Sequence, residues 1–402
     1  MRSKCPEPKD KKMKKTFPIF LAFLCMGFGD AVATFVGKAK DTFALNNFEA
    51  QLIAFVGMIM FGVLSVPMGV VQNRIGKKRT LLIGLFLALV GVLIVLVAGV
   101  SNFGIFLASV LALGAGAAIL QVAGNPIMRD VSDEGAYSSN LSLGQFIKAI
   151  GSNTAPVVFF ATALVCGGAQ KSASSEWNLL FSIFAVGIFA TMVSVAMLKI
   201  KESRSDGGAA TIASCLAQLG NPFVFAAVSG IFLYVGAEVC VSSGMPIFFS
   251  EKFGVSSDLA TQYVTYFFLA IMAARLAGAA VLRRIKPARF LTACAVVALA
   301  GFAMLLCGGK AVSTVALFVI AVGYANIFPL IFSISIDAMP EKSNELSGLM
   351  VTAIVGGAVL PPIMGFVADC FGSMAGFAVP AAAMLYVLWL SRYMRGAVKA
   401  RA

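Results

Sequence analysis

Long apolar runs make up most of the chain, and short polar interruptions separate them. A bilayer core about 30 Å thick needs about 20 apolar residues in one α-helix. Runs of roughly that length, bounded by charges, glycines and prolines, occur twelve times, so we predict twelve transmembrane helices. The runs, numbered 1 to 12, cover residues 17–36, 49–71, 80–100, 103–127, 140–166, 177–198, 222–249, 260–282, 290–308, 311–335, 347–368 and 373–391.

Basic residues alternate along the chain in step with these runs. Lys and Arg concentrate in short cytoplasmic loops of membrane proteins. With the N-terminus placed inside, 24 of the 31 basic residues fall in the predicted cytoplasmic segments and five in the opposite loops. The pattern predicts that both termini are cytoplasmic and that the chain lies in the inner membrane of the cell. The net charge of +13 is then an orientation signal, and no nucleic-acid partner is expected.

The longest polar interruption, 199–221, divides the runs into six and six. It is rich in glycine, serine and charge, as a linker is. A short amphipathic helix over 211–218 is the alternative to a plain linker, which we favour. The predicted organisation is a cytoplasmic segment (1–16), a six-helix bundle (17–198), a linker (199–221), a second six-helix bundle (222–391) and a cytoplasmic tail (392–402).

Composition excludes several classes of function. The chain is 59% apolar and only 12% charged, about half the charge of a soluble protein. It has no histidine, which excludes a His-dependent metalloenzyme or a serine-type hydrolase. A membrane-embedded enzyme would still need a nucleophile with a base, which the deep side chains do not supply. We expect no enzyme activity, no cofactor and no resident metal.

Two related loops follow runs 2 and 8, as expected if a six-helix unit was duplicated. They read GVVQNRIGKKR at 69–79 and GAAVLRRIKPAR at 278–289. The first resembles the Gly-x3-Asp-Arg-x-Gly-x-Arg/Lys-Arg loop of the major facilitator superfamily, except that Asn73 replaces the acid. The resemblance implies a gating loop in which glycines let helix ends approach a neighbour. Its residues would be Gly69, Asn73, Arg74, Gly76 and Arg79.

A more specific resemblance extends over nearly the whole chain. Six segments, in order, are similar to signatures of the fucose/glucose/galactose permease family. They lie at 47–53, 120–126, 141–145, 232–238, 328–337 and 347–358. The resemblance implies an all-α fold of two six-helix bundles and a sugar transporter driven by a cation gradient through alternating access.

Three positions bear on which member of that family the chain resembles. Gln121 matches the glucose-type members, because the fucose members carry a carboxylate there. The acid of run 1 is Asp30, one helical turn before the position, 33, where the family's Asp would align. Lys148 replaces the usual Asn of run 5. The last two departures leave the substrate and the coupling ion open.

Four ionisable residues lie well inside apolar runs: Asp30, Lys148, Glu238 and Arg275. A charge at the bilayer centre costs about 2.5–3.5 kcal/mol on insertion scales, so such residues normally face a cavity or a partner. The helical rise places Asp30 and Lys148 about 8 Å apart in depth, within reach of a lysine side chain. We therefore predict an Asp30–Lys148 pair and no direct bond between Glu238 and Arg275.

A desolvated carboxylate can take up a proton on one side of a membrane and release it on the other. Glu238, expected to be unpaired, is the predicted proton carrier, and Asp30 is the second predicted ion-coupling acid. Sodium is the alternative ion, because a carboxylate with backbone carbonyls can also bind it.

Sugar hydroxyls need convergent donors and acceptors, which amides provide without charge. The alternative is that such amides only join helices. The predicted substrate-binding residues are Gln121, Asn125, Gln145, Lys148, Tyr234 and Asn326. Trp177 and Trp389, both at run ends, are interpreted as interfacial anchors.

Lys148 leaves the charge of the sugar open. A cavity cation suits an acidic sugar, such as a sialic or uronic acid, whereas a lysine neutralised by Asp30 suits a neutral monosaccharide, which we favour. A drug exporter of the same fold is a further alternative, although it would favour an aromatic cavity with few amides. The expected partners are the sugar and the lipid bilayer, and a monomer is expected.

Overall fold

The computed structural model describes residues 9–31, 38–39, 42–45, 47–100, 102–133, 135–165, 173–200, 211–255 and 257–401. Parts of the predicted N-terminal segment (1–8), run 1 (32–36, including position 33), run 5 (166), the linker (201–210) and the tail (402) lie outside these ranges. The described residues are almost entirely helical.

Helices α1 to α7 form the part of the chain before the linker. Their bounds are α1 Lys9–Asp30, α2 Asn47–Ile75, α3 Lys77–Ala98, α4 Phe103–Val131, α5 Tyr137–Ser152, α6 Thr154–Val165 and α7 Ala173–Met197.

Helices α8 to α17 follow, with short 3₁₀ turns at Gln218–Gly220, Pro340–Lys342 and Ala353–Val355. Their bounds are α8 Ile212–Ala217, α9 Pro222–Phe253, α10 Ser257–Val281, α11 Pro287–Cys307, α12 Lys310–Tyr324, α13 Ile327–Ala338, α14 Ser343–Thr352, α15 Gly356–Phe371, α16 Ser373–Gly376 and α17 Ala378–Arg401.

Where the chain is described, each of the twelve predicted runs lies mostly in helix, which confirms the helical membrane fold. In the described residues, ten helices are long and apolar enough to cross a membrane, and Thr16–Asp30 is a shorter apolar helix. The chain is a multi-pass membrane protein.

Runs 5, 10, 11 and 12 are each split into two helices, which the sequence analysis did not predict. Run 5 breaks after Ser152 and run 10 breaks at Ala325 and Asn326. Both breaks are followed by a proline: Pro156 lies four residues after Ser152, and Pro329 lies four residues after Ala325. Proline has no N–H to bond the carbonyl four residues earlier, so the helix is weakened there. In run 10 the freed carbonyl belongs to Ala325.

The described residues belong to two compact units. Unit 1 takes in Met1–Glu134, Ile147–Ile212 and Ser343–Val351, and unit 2 takes in Gly135–Phe146, Ala213–Lys342 and Thr352–Ala402. Unit 1 is formed mainly by the first half of the chain and unit 2 mainly by the second half. The exceptions are the short segments 135–146, which belongs to unit 2, and 343–351, which belongs to unit 1.

Specific hydrogen bonds hold each short segment in its unit. In unit 1, Ser347 Oγ donates to the Val122 carbonyl at 2.6 Å. In unit 2, Ser139 Oγ donates to the Ala279 carbonyl at 2.6 Å, and Ser138 Oγ lies 2.7 Å from Ser333 Oγ. These bonds join residues more than a hundred positions apart, so no local pattern in the sequence reveals them.

Two expectations about the run boundaries are wrong. Residues 212–217 form α8, with Cys215 buried and Ile212 and Leu216 about half exposed, rather than a plain linker. Trp177 is fully buried, because its indole packs on Phe106 and donates Nε1–H to Thr42 Oγ1 at 3.1 Å. It is a core residue of unit 1 and not an interfacial anchor.

Candidate functional site

In unit 1, Lys148 joins an acid and an amide at membrane depth. Its ammonium lies 2.8 Å from Asp30 Oδ2 and donates to Gln121 Oε1 at 2.9 Å. The predicted Asp30–Lys148 pair is therefore confirmed, and Gln121 is a third member of the network. The side chain of Lys148 is 11% exposed and that of Asp30 is 35% exposed, so the network is open on the aspartate side.

Two glycines explain why α1 and α5 come close enough for this pair. A Cβ at Gly27 would lie 2.1 Å from the Lys148 carbonyl oxygen, and a Cβ at Gly151 would lie 2.2 Å from the Leu24 carbonyl oxygen. Real Cβ atoms do not approach that closely, so the two helix backbones are in direct contact. The side chain of Lys148 then needs to span only the difference in depth between Lys148 and Asp30.

Asn125 lies one helical turn beyond Gln121 on α4 and is fully buried. Gln121 is also buried, and the four-residue spacing places the two amides on the same face of the helix. Among the predicted substrate-binding residues, unit 1 thus contains Gln121, Asn125 and Lys148.

In unit 2, Arg275 on α10 lies between a carboxylate and a free carbonyl. Its Nε donates to the Ala325 carbonyl at 3.1 Å, and its terminal nitrogen lies 3.9 Å from Glu238 Oε1. The Ala325 carbonyl is available because Pro329 cannot bond it. The expectation that Glu238 is unpaired is therefore wrong: the long arginine side chain spans the difference in depth. At 3.9 Å the contact is electrostatic and too long for a hydrogen bond.

Asn326 joins the break in run 10 to α10 by a second bond. Its Nδ2 donates to the Ala274 carbonyl at 3.0 Å. A Cβ at Gly278 would lie 2.2 Å from that Nδ2 atom, so the glycine makes room for the amide. The residue is 1% exposed, and its Oδ1 has no hydrogen-bond partner among the described residues. The Oδ1 atom remains able to accept a hydrogen bond.

The other predicted substrate residues of unit 2 lie on α9 and α5. Tyr234 is buried one turn before Glu238, with its ring edge-on to Tyr324 at a centroid distance of 5.7 Å. Gln145 is also buried, and its Nε2 has no hydrogen-bond partner within the described ranges. The six predicted substrate-binding residues thus divide three and three between the units.

In the predicted gating loop, Gly69 makes a close helix contact, Gly76 has a positive φ, and the two arginines are exposed. A Cβ at Gly69 would lie 2.9 Å from the Asn344 carbonyl oxygen, so α2 and α14 touch there. Gly76, between α2 and α3, has φ 91°, a left-handed conformation that suits glycine. Arg74 and Arg79 are exposed.

Asn73, which stands where the superfamily motif has an acid, contacts another amide. Its Oδ1 accepts a hydrogen bond from Asn344 Nδ2. The Asn344 Oδ1 in turn accepts from Gln72 Nε2 at 3.0 Å. This cluster of three amides is neutral.

The sequence analysis missed one buried ion pair. Lys77 Nζ lies 2.7 Å from Asp130 Oδ2, with the two side chains 2% and 4% exposed. Both residues lie just outside the apolar runs, where they were counted as loop charges. The signal in the sequence was an acid, Asp130, that closely follows run 4, together with the basic loop between runs 2 and 3 on the same predicted side of the membrane.

Comparison with known proteins identifies the class of protein that this fold belongs to. The model of the Major Facilitator Superfamily matches residues 19–362. The chain belongs to that superfamily.

Particular relatives bear out the more specific resemblance. The chain is 29% identical over 357 residues to a glucose/galactose transporter of Brucella abortus biovar 1 (strain 9-941), covering 87% of this chain and 86% of that protein. It is 25% identical over 398 residues to the L-fucose-proton symporter of Escherichia coli (strain K12), covering 91% and 90%. Among solved structures, a variant of the E. coli fucose:proton symporter has the same fold, with TM-score 0.83, 21% identity and coverage of 96% and 98%.

Proposed function

We propose that the chain is a secondary active transporter that couples uptake of a neutral monosaccharide to entry of a cation, by alternating access. The proposed ion is the proton, and the proposed orientation has both termini in the cytoplasm of an inner-membrane protein. The names of the relatives support sugar transport, since they include glucose, galactose and L-fucose. The charged groups at membrane depth support coupling to a cation.

The Asp30–Lys148–Gln121 network is the observation that carries the proposal. Because Asp30 neutralises Lys148, the lysine is not available to a substrate anion. Lys148 also donates a hydrogen bond to Gln121 Oε1. The amide nitrogen of Gln121 is then the group that can donate to a sugar hydroxyl. A neutral hydroxylated ligand suits this arrangement better than an acidic sugar does.

Glu238 is the proposed proton carrier. Its contact with Arg275 is too long for a hydrogen bond, and its side chain is 17% exposed, so a proton can reach the carboxylate. Protonation would remove the attraction between the two side chains, while Arg275 stays bonded to the Ala325 carbonyl. Arg275 thus connects Glu238 to the broken part of run 10, which also contains Asn326. A change in the protonation state of Glu238 would alter the charge next to that break.

Transport in proteoliposomes tests this assignment. Glu238→Gln should abolish sugar accumulation driven by a pH gradient but retain exchange of labelled for unlabelled sugar, since exchange needs no net proton movement. Glu251→Gln is the matched control, because Glu251 is an exposed acid on the same helix. Unchanged gradient-driven uptake and pH dependence in Glu238→Gln would exclude Glu238 as the carrier.

Ion and substrate are tested separately. A proton ionophore should stop accumulation, whereas replacing sodium should not; the reverse result identifies sodium as the coupling ion. Competition by a panel of neutral and acidic sugars should show inhibition by neutral monosaccharides. Uptake of a uronic or sialic acid that Lys148→Gln alone abolishes would contradict a neutral substrate.

A further inference from the structure

Unit 2 carries a group of basic side chains at the end where α10 ends, α11 begins and α17 ends. All six are exposed, and within the described ranges none forms an ion pair or a hydrogen bond through its side chain. We call them the basic rim; its members are Arg283, Arg284, Lys286, Arg289, Arg392 and Arg395.

One hydrogen bond brings the two parts of the rim together. Thr292 Oγ1 on α11 lies 2.9 Å from Ser391 Oγ on α17. Runs 9 and 12 cross in opposite directions in the predicted alternation, so Arg289 and Arg395 extend from this bond toward the same end. A rise of 1.5 Å per residue places them about 4.5 and 6 Å beyond it.

Aromatic side chains mark the depth of the rim. Trp389 is 51% exposed and stacks on Tyr393 at a centroid distance of 5.4 Å. Exposed tryptophan and tyrosine concentrate at the level of lipid headgroups. Because Arg392 follows Trp389 by three residues on the same helix, we expect the rim at the level of the bilayer phosphates.

The corresponding loop of unit 1 uses its bases differently. Lys77 is buried against Asp130, and Lys78 donates to the Ala196 carbonyl at 2.8 Å. Those lysines have partners within the protein. Two bases of that loop, Arg74 and Arg79, are exposed, whereas all six bases of the basic rim are exposed and unpaired, and this concentration of charge points to a partner outside the protein.

We propose that the basic rim is a binding site for an anionic phospholipid of the cytoplasmic leaflet, with the phosphate held by Arg289, Arg392 and Arg395. Guanidinium groups bind phosphate through two parallel hydrogen bonds, and arginines from two helices can converge on one headgroup. The exposed ring of Trp389 packs beside the upper acyl chains. This site does not depend on which sugar or ion the protein transports.

Tryptophan fluorescence gives a direct test. Trp177 is fully buried in unit 1, so lipid-borne bromine should quench only Trp389. We expect reconstituted protein to be quenched more strongly by brominated phosphatidylglycerol than by brominated phosphatidylcholine. The preference should decrease as salt is added, because exposed charges are screened. Trp389→Phe should remove the quenching.

Charge-removing variants assign the preference to the rim. Arg289→Gln/Arg392→Gln should weaken phosphatidylglycerol binding about 30-fold, from about five-fold per basic side chain. Lys252→Gln/Lys310→Gln removes the same charge from exposed positions elsewhere in unit 2 and should keep the preference. If the first variant does not fold, Arg289→Gln/Arg395→Gln replaces it, with the same expected loss.

Three results would overturn the proposal: equal quenching by the two lipids in the unmodified protein, a preference that survives both rim variants, or displacement of brominated phosphatidylglycerol by inorganic phosphate. The last result would indicate a site for a free anion. Sugar binding is not measured, so a failure here is distinct from a failure of the proposed transport function.

Discussion

Lys148 and Lys77 each bind an aspartate, yet their surroundings predict different contributions to stability. The Lys77–Asp130 side chains are at most 4% exposed, whereas Asp30 in the other pair is 35% exposed. Removing one partner of a fully buried ion pair leaves an uncompensated charge without water, and water reduces that penalty at an open site. Burial therefore matters more here than the two similar ion-pair distances.

We expect Lys77→Met to lower the free energy of unfolding by about 3–5 kcal/mol and Lys148→Met by about 1–2 kcal/mol. Thermal unfolding in detergent measures both, with Lys310→Met, at an exposed position, as the control. Equal losses for the two lysine variants would contradict the dependence on burial.

At the scale of helices, glycine contacts determine which deep side chains meet. The cost of membrane charges identified Asp30 and Lys148 from the sequence, but their bond depends on backbone contact between α1 and α5 at Gly27 and Gly151. Depth estimates from helical rise could not give the Glu238–Arg275 contact, because they ignore the length of the arginine side chain. The four deep ionisable residues and the Asp30–Lys148 pair were predictable from residue type and depth. The Glu238–Arg275 contact was not, because it depends on how the helices pack.

Gly151→Ala should separate α1 from α5, because its Cβ would lie 2.2 Å from the Leu24 carbonyl oxygen. Overpacking of this kind costs about 1–3 kcal/mol, and it should also weaken the Asp30–Lys148 bond. Gly365→Ala on α15 is the control, since nothing lies within 4 Å of a Cβ built there. Thermal unfolding should show a loss for the first variant only; a similar loss for both would indicate a general effect of replacing glycine.

At the scale of the molecule, the sequence predicts the fold well but not the membership of the two units. Apolar runs long enough to span a bilayer predicted where helices lie in the described residues, because that pattern is local. The grouping of 343–351 with unit 1 was not predictable, since it depends on contacts with residues far away in the chain. Asn344, bonded to Gln72 and Asn73, and Ser347, bonded to Val122, provide those contacts.

These bonds predict that the amide cluster holds 343–351 in place. Asn344→Ala removes both amide contacts while the neighbouring Ser347 bond remains, so the segment should open more often without the protein unfolding. Amide hydrogen exchange over 343–351 should become about 5–10-fold faster, as expected for the loss of about one net hydrogen bond. Lys342→Ala is the matched control, because the Lys342 ammonium binds Gln218 instead, at 2.9 Å. Unchanged exchange in Asn344→Ala would show that the helix contact at Gly69 and the Ser347 bond suffice to hold the segment.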